Sequence, residues 1–357
     1  MLTKRARLIV GGAIAALVAA VIVLAGLNVI GTINGPGQPD APSTAQAVKN
    51  DLPTQAGAAG IPVLVYHEMD NGCAVSAPVC DAQDPESVSK TQFTRQMNYL
   101  RGQGYHSVTL NQYLSWLADP HTVLPRKPIL LTADNGIGNF LLGAQPILAR
   151  NGFTMTAFIV TGFADGASGH CQAPRRVAGR TVDFQPGCGQ DNRGWDLTWT
   201  QLRALNPKVY SFAFEAGASG HFPQNYSRKC FQFYACKVPG ETTRSYETRV
   251  VNEINAGLSE LSAKLPGRVD TRAWVVPFSD LGYQRCRQPD CTPQNSTGQR
   301  GWLSAYAASR FSAVFVEDAF RNRVQNERFR FDITGGLTQQ EFQAQLRSLV
   351  AAASFAR

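Results

Sequence analysis

Carboxylates and imidazoles carry much of hydrolytic chemistry, as general acids and bases or as ligands of a divalent ion. In this sequence they fall at five places directly after short apolar runs: His67 with Glu68, Asp134 with Asn135, Glu215 leading to His221, the stretch holding Pro277, Phe278 and Asp280, and Glu317 with Asp318. Asp134 and Glu215 have the makings of an acid and a nucleophile or base for glycoside hydrolysis, where two carboxylates flank the bond that breaks. Taken singly, Asp134 also reads as a helix-capping carboxylate, and His67 and His221 as histidines with purely local hydrogen bonds. His106, His121 and His170 lie away from these places and are given no role.

Such residues converge only if the runs before them are strands of one sheet. Residues 61–66, 128–132, 154–160, 209–214, 273–276 and 313–316 are short and almost wholly apolar, as buried strands are, and a weaker strand is expected at 107–110. Between them, three- and four-residue spacing predicts helices: Phe93, Met97 and Leu100 after Ser89, then residues 141–150, 198–205, 247–264 and 339–352. Strand and helix in alternation imply a parallel sheet, and about seven units imply a distorted (β/α) barrel. The site then gathers at the C-terminal strand ends. Three stretches, 71–87, 162–195 and 222–240, break the alternation and read as long loops over that face.

The same segments resemble the polysaccharide deacetylase family, carbohydrate esterase family 4, over residues 61–346. Ile61-Pro62-Val63-Leu64-Val65, leading into Tyr66 and His67, is similar to the family's opening strand. Ile129-Leu130-Leu131-Thr132-Ala133-Asp134-Asn135-Gly136 is similar to its Thr-Phe-Asp-Asp-Gly block, the most specific match. Leu197-Thr198-Trp199-Thr200-Gln201-Leu202 resembles the segment that introduces a His-x-x-x-His motif. With His221 as the second histidine of that motif, Gly217 stands at the first; alignment on Glu215 places Ser219 there instead. Residues 274–280 resemble the segment lining the acetate pocket, and residues 328–334 the usual ending.

In active members, as the resemblance implies, the first aspartate of the block is the base. The second aspartate and both histidines hold a divalent metal that polarises the acetamide and activates water. This chain keeps the base as Asp134 but carries Asn135 and Gly217 at two ligand positions, leaving His221. At about 3 to 4 kcal/mol per zinc ligand, two losses weaken binding by roughly four orders of magnitude. No cofactor is therefore expected, and a zinc-like ion only if His67, Glu215 and Asp280 rearrange around it. The resemblance implies a protein that acts on acetylated cell-envelope polysaccharide with deacetylation weak or lost; the alternative is a non-catalytic glycan-binding or assembly module. Trp195 is the candidate for stacking on a sugar face, whereas Trp199 and Trp274 read as core.

Residues 8–33 carry no charge, Lys4, Arg5 and Arg7 precede them, and no charge follows until Asp40. That pattern predicts a single-pass anchor with a cytoplasmic flank (residues 1–7) and an extracytoplasmic remainder. Cleavage at Ala45-Gln46-Ala47 is the rival reading, disfavoured because the site lies far past an apolar run that is long for a signal peptide. Residues 34–60, rich in Gly, Pro and Ala, read as a flexible linker, and 61–357 as one domain. All eight cysteines lie beyond the anchor. Export lets them pair, most economically as Cys73–Cys80, Cys171–Cys188, Cys230–Cys236 and Cys286–Cys291. Only Cys286 and Cys291 have zinc-knuckle spacing, with no second pair to complete such a site. The formal charge of +8 includes three cations of the anchor flank and contains no basic block, which argues against a nucleic-acid partner.

Overall fold

Uniformly apolar runs of four to seven residues are buried on both faces only in a parallel sheet clothed by helices, and that is what these runs build. In the computed structural model, residues 61–70, 86–170, 175–177, 180–182, 196–219, 234–235, 237, 240–279, 281, 293–317 and 327–354 are described. All belong to the unit Asn50–Arg357. The expected anchor, the linker and all eight cysteines lie outside the described residues, so the four bridges do too. Among the described residues no helix is long and apolar enough to cross a membrane.

In chain order the strands are β1 (Val63–Tyr66), β2 (Glu68–Asp70), β3 (Ser87–Ser89), β4 (His106–Ser107), β5 (Pro128–Ala133), β6 (Met155–Val160), β7 (Arg175–Val177), β8 (Arg180–Val182), β9 (Tyr210–Ala216), β10 (Val269–Val275), β11 (Ala313–Val316), β12 (Glu327–Phe329) and β13 (Phe331–Asp332). The main sheet runs β12-β11-β10-β9-β6-β5-β1-β13, with β4 beside the start of β5. Every pairing in it is parallel. Its two ends, β12 and β13, are one extended segment interrupted only at Arg330, so the sheet curls into a nearly closed barrel. On one side of that residue Phe329 lies against Val316; on the other, Phe331 lies against Leu64.

The helices are α1 (Lys90–Gly102), α2 (Leu110–Ala118), α3 (Gly138–Asn151), α4 (Thr161–His170), α5 (Trp199–Ala204), α6 (Thr243–Lys264), α7 (Pro293–Arg310) and α8 (Gln339–Ser354). Local signals fix several ends. Ser89 caps α1, Thr198 and Gln201 form a reciprocal capping box on α5, and Gly152, at φ 71°, closes α3 in the left-handed region. The strand expected at 107–110 stops at Ser107 instead. Thr109 accepts from the Gln112 amide while Gln112 reaches back to the Thr109 amide, and that capping box starts α2 one residue later.

The alternation of each strand sorts the core into two parts. Val63, Leu130, Phe158, Ala213, Ala273, Val275, Ala313 and Phe315 fill the barrel interior together with Leu110, Tyr113 and Leu114 of α2. The opposite faces, among them Leu64, Leu131, Ile159, Phe214 and Trp274, meet the surrounding helices. Trp199 and Trp274 are buried core residues, as expected from sequence.

Candidate active site

The turn after β5 begins the site. Asn135 and Gly136 both adopt left-handed backbone, at φ 66° and 76°, and the Gly136 amide closes the turn onto the Asp134 carbonyl at 2.8 Å. Asparagine and glycine are the residues that tolerate this conformation at least cost. Glu215 holds the turn from across the barrel: its Oε2 accepts from the Asn135 amide at 2.7 Å and its Oε1 from the Asn135 Nδ2 at 2.9 Å. Glu215 reaches this place by simple alternation, two residues beyond inward-facing Ala213 on β9.

Beside this brace lies a charged cluster. Asp134, nearly fully buried, receives both terminal nitrogens of Arg330, Nη1 on Oδ1 at 2.5 Å and Nη2 on Oδ2 at 2.6 Å. Arg330 is itself 1% exposed, and its Nη2 also donates to Glu317 Oε1 at 2.8 Å. His67 Nε2 stands 3.8 Å from Asp134 Oδ2 and 3.8 Å from Glu317 Oε1, while its Nδ1 lies 3.5 Å from Asp332 Oδ1. These are ionic contacts rather than short hydrogen bonds. Strand ends supply every member: β1 gives His67, β5 gives Asp134, β11 gives Glu317, and the closing segment gives Arg330 and Asp332.

Burial shapes the charges. For His67 burial opposes protonation, but the contact with Asp332 and the carboxylates of Glu317 and Asp134 outweigh it and hold the imidazolium well above the usual histidine range. Glu317 is pushed up to about 7, first by burial and then by Asp134 and Asp332, with Arg330 and His67 pulling the other way. Its side chain keeps 27% of its surface and so faces solvent more than Asp134 does. Arg330 stays charged because Asp134 and Glu317 more than offset the burial that works against it.

No protein-family model and no curated protein matches the sequence. Solved structures do match. One is a de-N-acetylase from Aggregatibacter actinomycetemcomitans, 14% identical, covering 80% of this chain and 98% of its own at a TM-score of 0.53. Another is IcaB from Ammonifex degensii, 18% identical over 83% of this chain and 97% of its own, at a TM-score of 0.50. The fold is that of a polysaccharide deacetylase. The β/α barrel expected from the strand pattern is thus present: six of the expected strands lie on the path, the seventh pairs beside it as β4, and the closing β12 and β13 were not foreseen as strands.

At the position of a ligand aspartate in the deacetylase pattern, the Asn135 side chain commits its amide nitrogen to Glu215. Gly217 does not face the cluster. A Cβ built on it comes within 2.6 Å of Glu253 Oε1 on α6, so its side-chain direction runs toward the outer layer. Glu253 is in turn fixed by the Ser219 amide at 2.7 Å. His221, Asp280 and Trp195 lie outside the described residues. Pro277 is buried, and Phe278, at φ 56°, projects 45% exposed. Next to it, the Ser279 hydroxyl accepts the Glu317 amide at 2.7 Å, tying this turn to the cluster. Both Glu215 oxygens are engaged by Asn135, which makes Glu215 a brace for the turn rather than a free partner for Asp134 in glycoside hydrolysis.

His67, Asp134 and Glu317 offer ligand atoms within 4.8 Å of one another, a spacing that a metal ion could bridge. They do not fit one as they stand. Arg330 already holds the same two carboxylates, so a cation seated there would have to displace its guanidinium. Sequence reasoning noted Glu317 as a strand-end carboxylate but missed Arg330, Asp332 and Glu253. The signal for Arg330 was its place in residues 328–334, read only as a family ending.

Proposed function

We propose that the protein is a membrane-anchored, envelope-facing relative of the polysaccharide deacetylases that binds acetylated cell-envelope glycan and hydrolyses its acetyl groups weakly or not at all. The observation that carries this reading is the guanidinium of Arg330 on both oxygens of Asp134. A general base must be within hydrogen-bond reach of the water it activates. Asp134 is buried, each of its oxygens already accepts from Arg330, and that cation cannot give up a proton within the physiological range. The fold and the exposed Phe278 beside the cluster support glycan binding; aromatic faces serve sugars as well as proteins. In this reading no metal or other cofactor takes part, and the membrane is a partner through residues 8–33 only.

The test uses the full chain in detergent, with acetylated oligosaccharides, and measures acetate release with and without zinc or cobalt alongside retention on glycan resin. Retention without metal-stimulated release is the expected result. Metal-stimulated release that disappears in Asp134→Ala overturns the reading. Absence of both retention and release removes the carbohydrate role altogether.

A further inference from the structure

The charged cluster is arranged around a single atom. Arg330 Nη2 lies 2.6 Å from Asp134 Oδ2 and 2.8 Å from Glu317 Oε1. Those same two oxygens are the ones that flank His67 Nε2, each at 3.8 Å. Ligands around a tetrahedral zinc with bonds of about 2.1 Å stand roughly 3.4 Å apart. Each nitrogen–oxygen distance is therefore near the spacing that zinc imposes, the three groups offer donor atoms within 4.8 Å of one another, and a positively charged nitrogen is seated on the two oxygens. None of the three is a position that the family resemblance assigns to metal.

We propose that Arg330 stands in for a divalent cation in a latent site made by His67, Asp134 and Glu317, so that removing its guanidinium converts the barrel mouth into a zinc site. This rests on the reading above that the wild-type domain holds no metal. Three independent features point the same way. The donors are one imidazole and two carboxylates, a set that zinc accepts with a fourth position left open. Each is the first residue past a different strand of the barrel, so three neighbouring strand ends set the spacing. His67 Nδ1 faces Asp332 Oδ1 at 3.5 Å, the side on which a carboxylate orients a metal-binding imidazole. In the wild type a dication would have to enter beside a guanidinium that cannot deprotonate, and it is excluded.

The experiment compares full-length wild type with Arg330→Ala after chelator treatment, by zinc calorimetry and by cobalt absorption, which separates nitrogen–oxygen ligation from thiolate ligation. Expected are no nitrogen–oxygen site in the wild type, and in Arg330→Ala one zinc per chain at micromolar or tighter Kd. Affinity should fall at least about 100-fold when Glu317→Gln is added, and methylguanidinium should compete with zinc for the variant. If Arg330→Ala is unstable, its melting is followed in zinc and in chelator: a zinc-dependent rise in Tm supports the proposal, and an unchanged or absent transition overturns it. A folded Arg330→Ala that ignores zinc sinks this inference alone, whereas tight nitrogen–oxygen ligation in the wild type sinks the metal-free reading beneath it.

Discussion

At the scale of single residues, the Asp134–Arg330 pair is the costliest to disturb. Removing one partner of a buried pair leaves an uncompensated charge, a loss of about 3–5 kcal/mol. Arg330→Met should therefore lower the urea midpoint by that equivalent. Two neighbouring groups make stability pH-dependent in one direction. Glu317 titrates near 7 when folded against an ordinary 4.5, so between those values the folded chain binds the extra proton and rising pH favours unfolding. His67 is raised above its ordinary 6.5, so its contribution is complete below 6.5 and is lost as pH climbs through the folded value. Melting temperature should fall from pH 5 toward pH 9, with Glu317→Gln flattening the lower part of the curve and His67→Gln the upper. A rising curve contradicts these assignments. Asn135→Asp, which restores the family's residue, puts a carboxylate opposite Glu215 Oε1 in place of a donor held at 2.9 Å. It should destabilise by on the order of 1–3 kcal/mol in urea melts, and a Glu215→Gln background should recover most of the loss.

At the scale of elements, the packing of α6 on the end of β9 leaves no room for side chains. A Cβ on Gly257 would run into the Phe214 ring and come within 3.0 Å of the Gly217 Cα. Gly257→Ala should cost about 1–3 kcal/mol through overpacking, read from denaturant midpoints. Six strands of the main sheet were legible in sequence because each is a bare apolar run, and α1, α5, α6 and α8 because their spacing and caps agree; the polar strands β2, β3, β7, β8, β12 and β13 and helix α7 were not foreseen. What escaped did so for physical reasons. Helix α4 begins at Thr161 directly after Val160, with no polar break to mark it, and α2 hid behind a capping box read as strand. In the site, Asp134 and Asn135 were legible from their block. Arg330 was not, because an arginine between two short strands looks like a surface residue until the barrel brings Asp134 to it. The contact of Glu215 with Asn135 joins residues 80 apart and depends on how the strands are ordered in the sheet, which the sequence does not display.

At the scale of the whole molecule, one segment joins the two ends of the sheet. The Arg330 amide donates to the Val316 carbonyl at 2.8 Å, and the Ile333 amide to the Val65 carbonyl at 3.0 Å. If the ionic cluster holds that junction, Arg330→Met should speed hydrogen exchange at both amides together and leave the β5–β6 pairing unchanged. Unequal acceleration would show that the junction is held by pairing alone. The topology also bears on how the chain is made. Synthesis runs from the N-terminus, and β1 waits for a neighbour encoded more than 260 residues later. Until residues 327–332 have emerged, β1 and β11 each present an unsatisfied row of amides and carbonyls, the template on which strands of other chains add. A nonsense codon or a protease cut before residue 327 should therefore yield an aggregate rather than a smaller working domain.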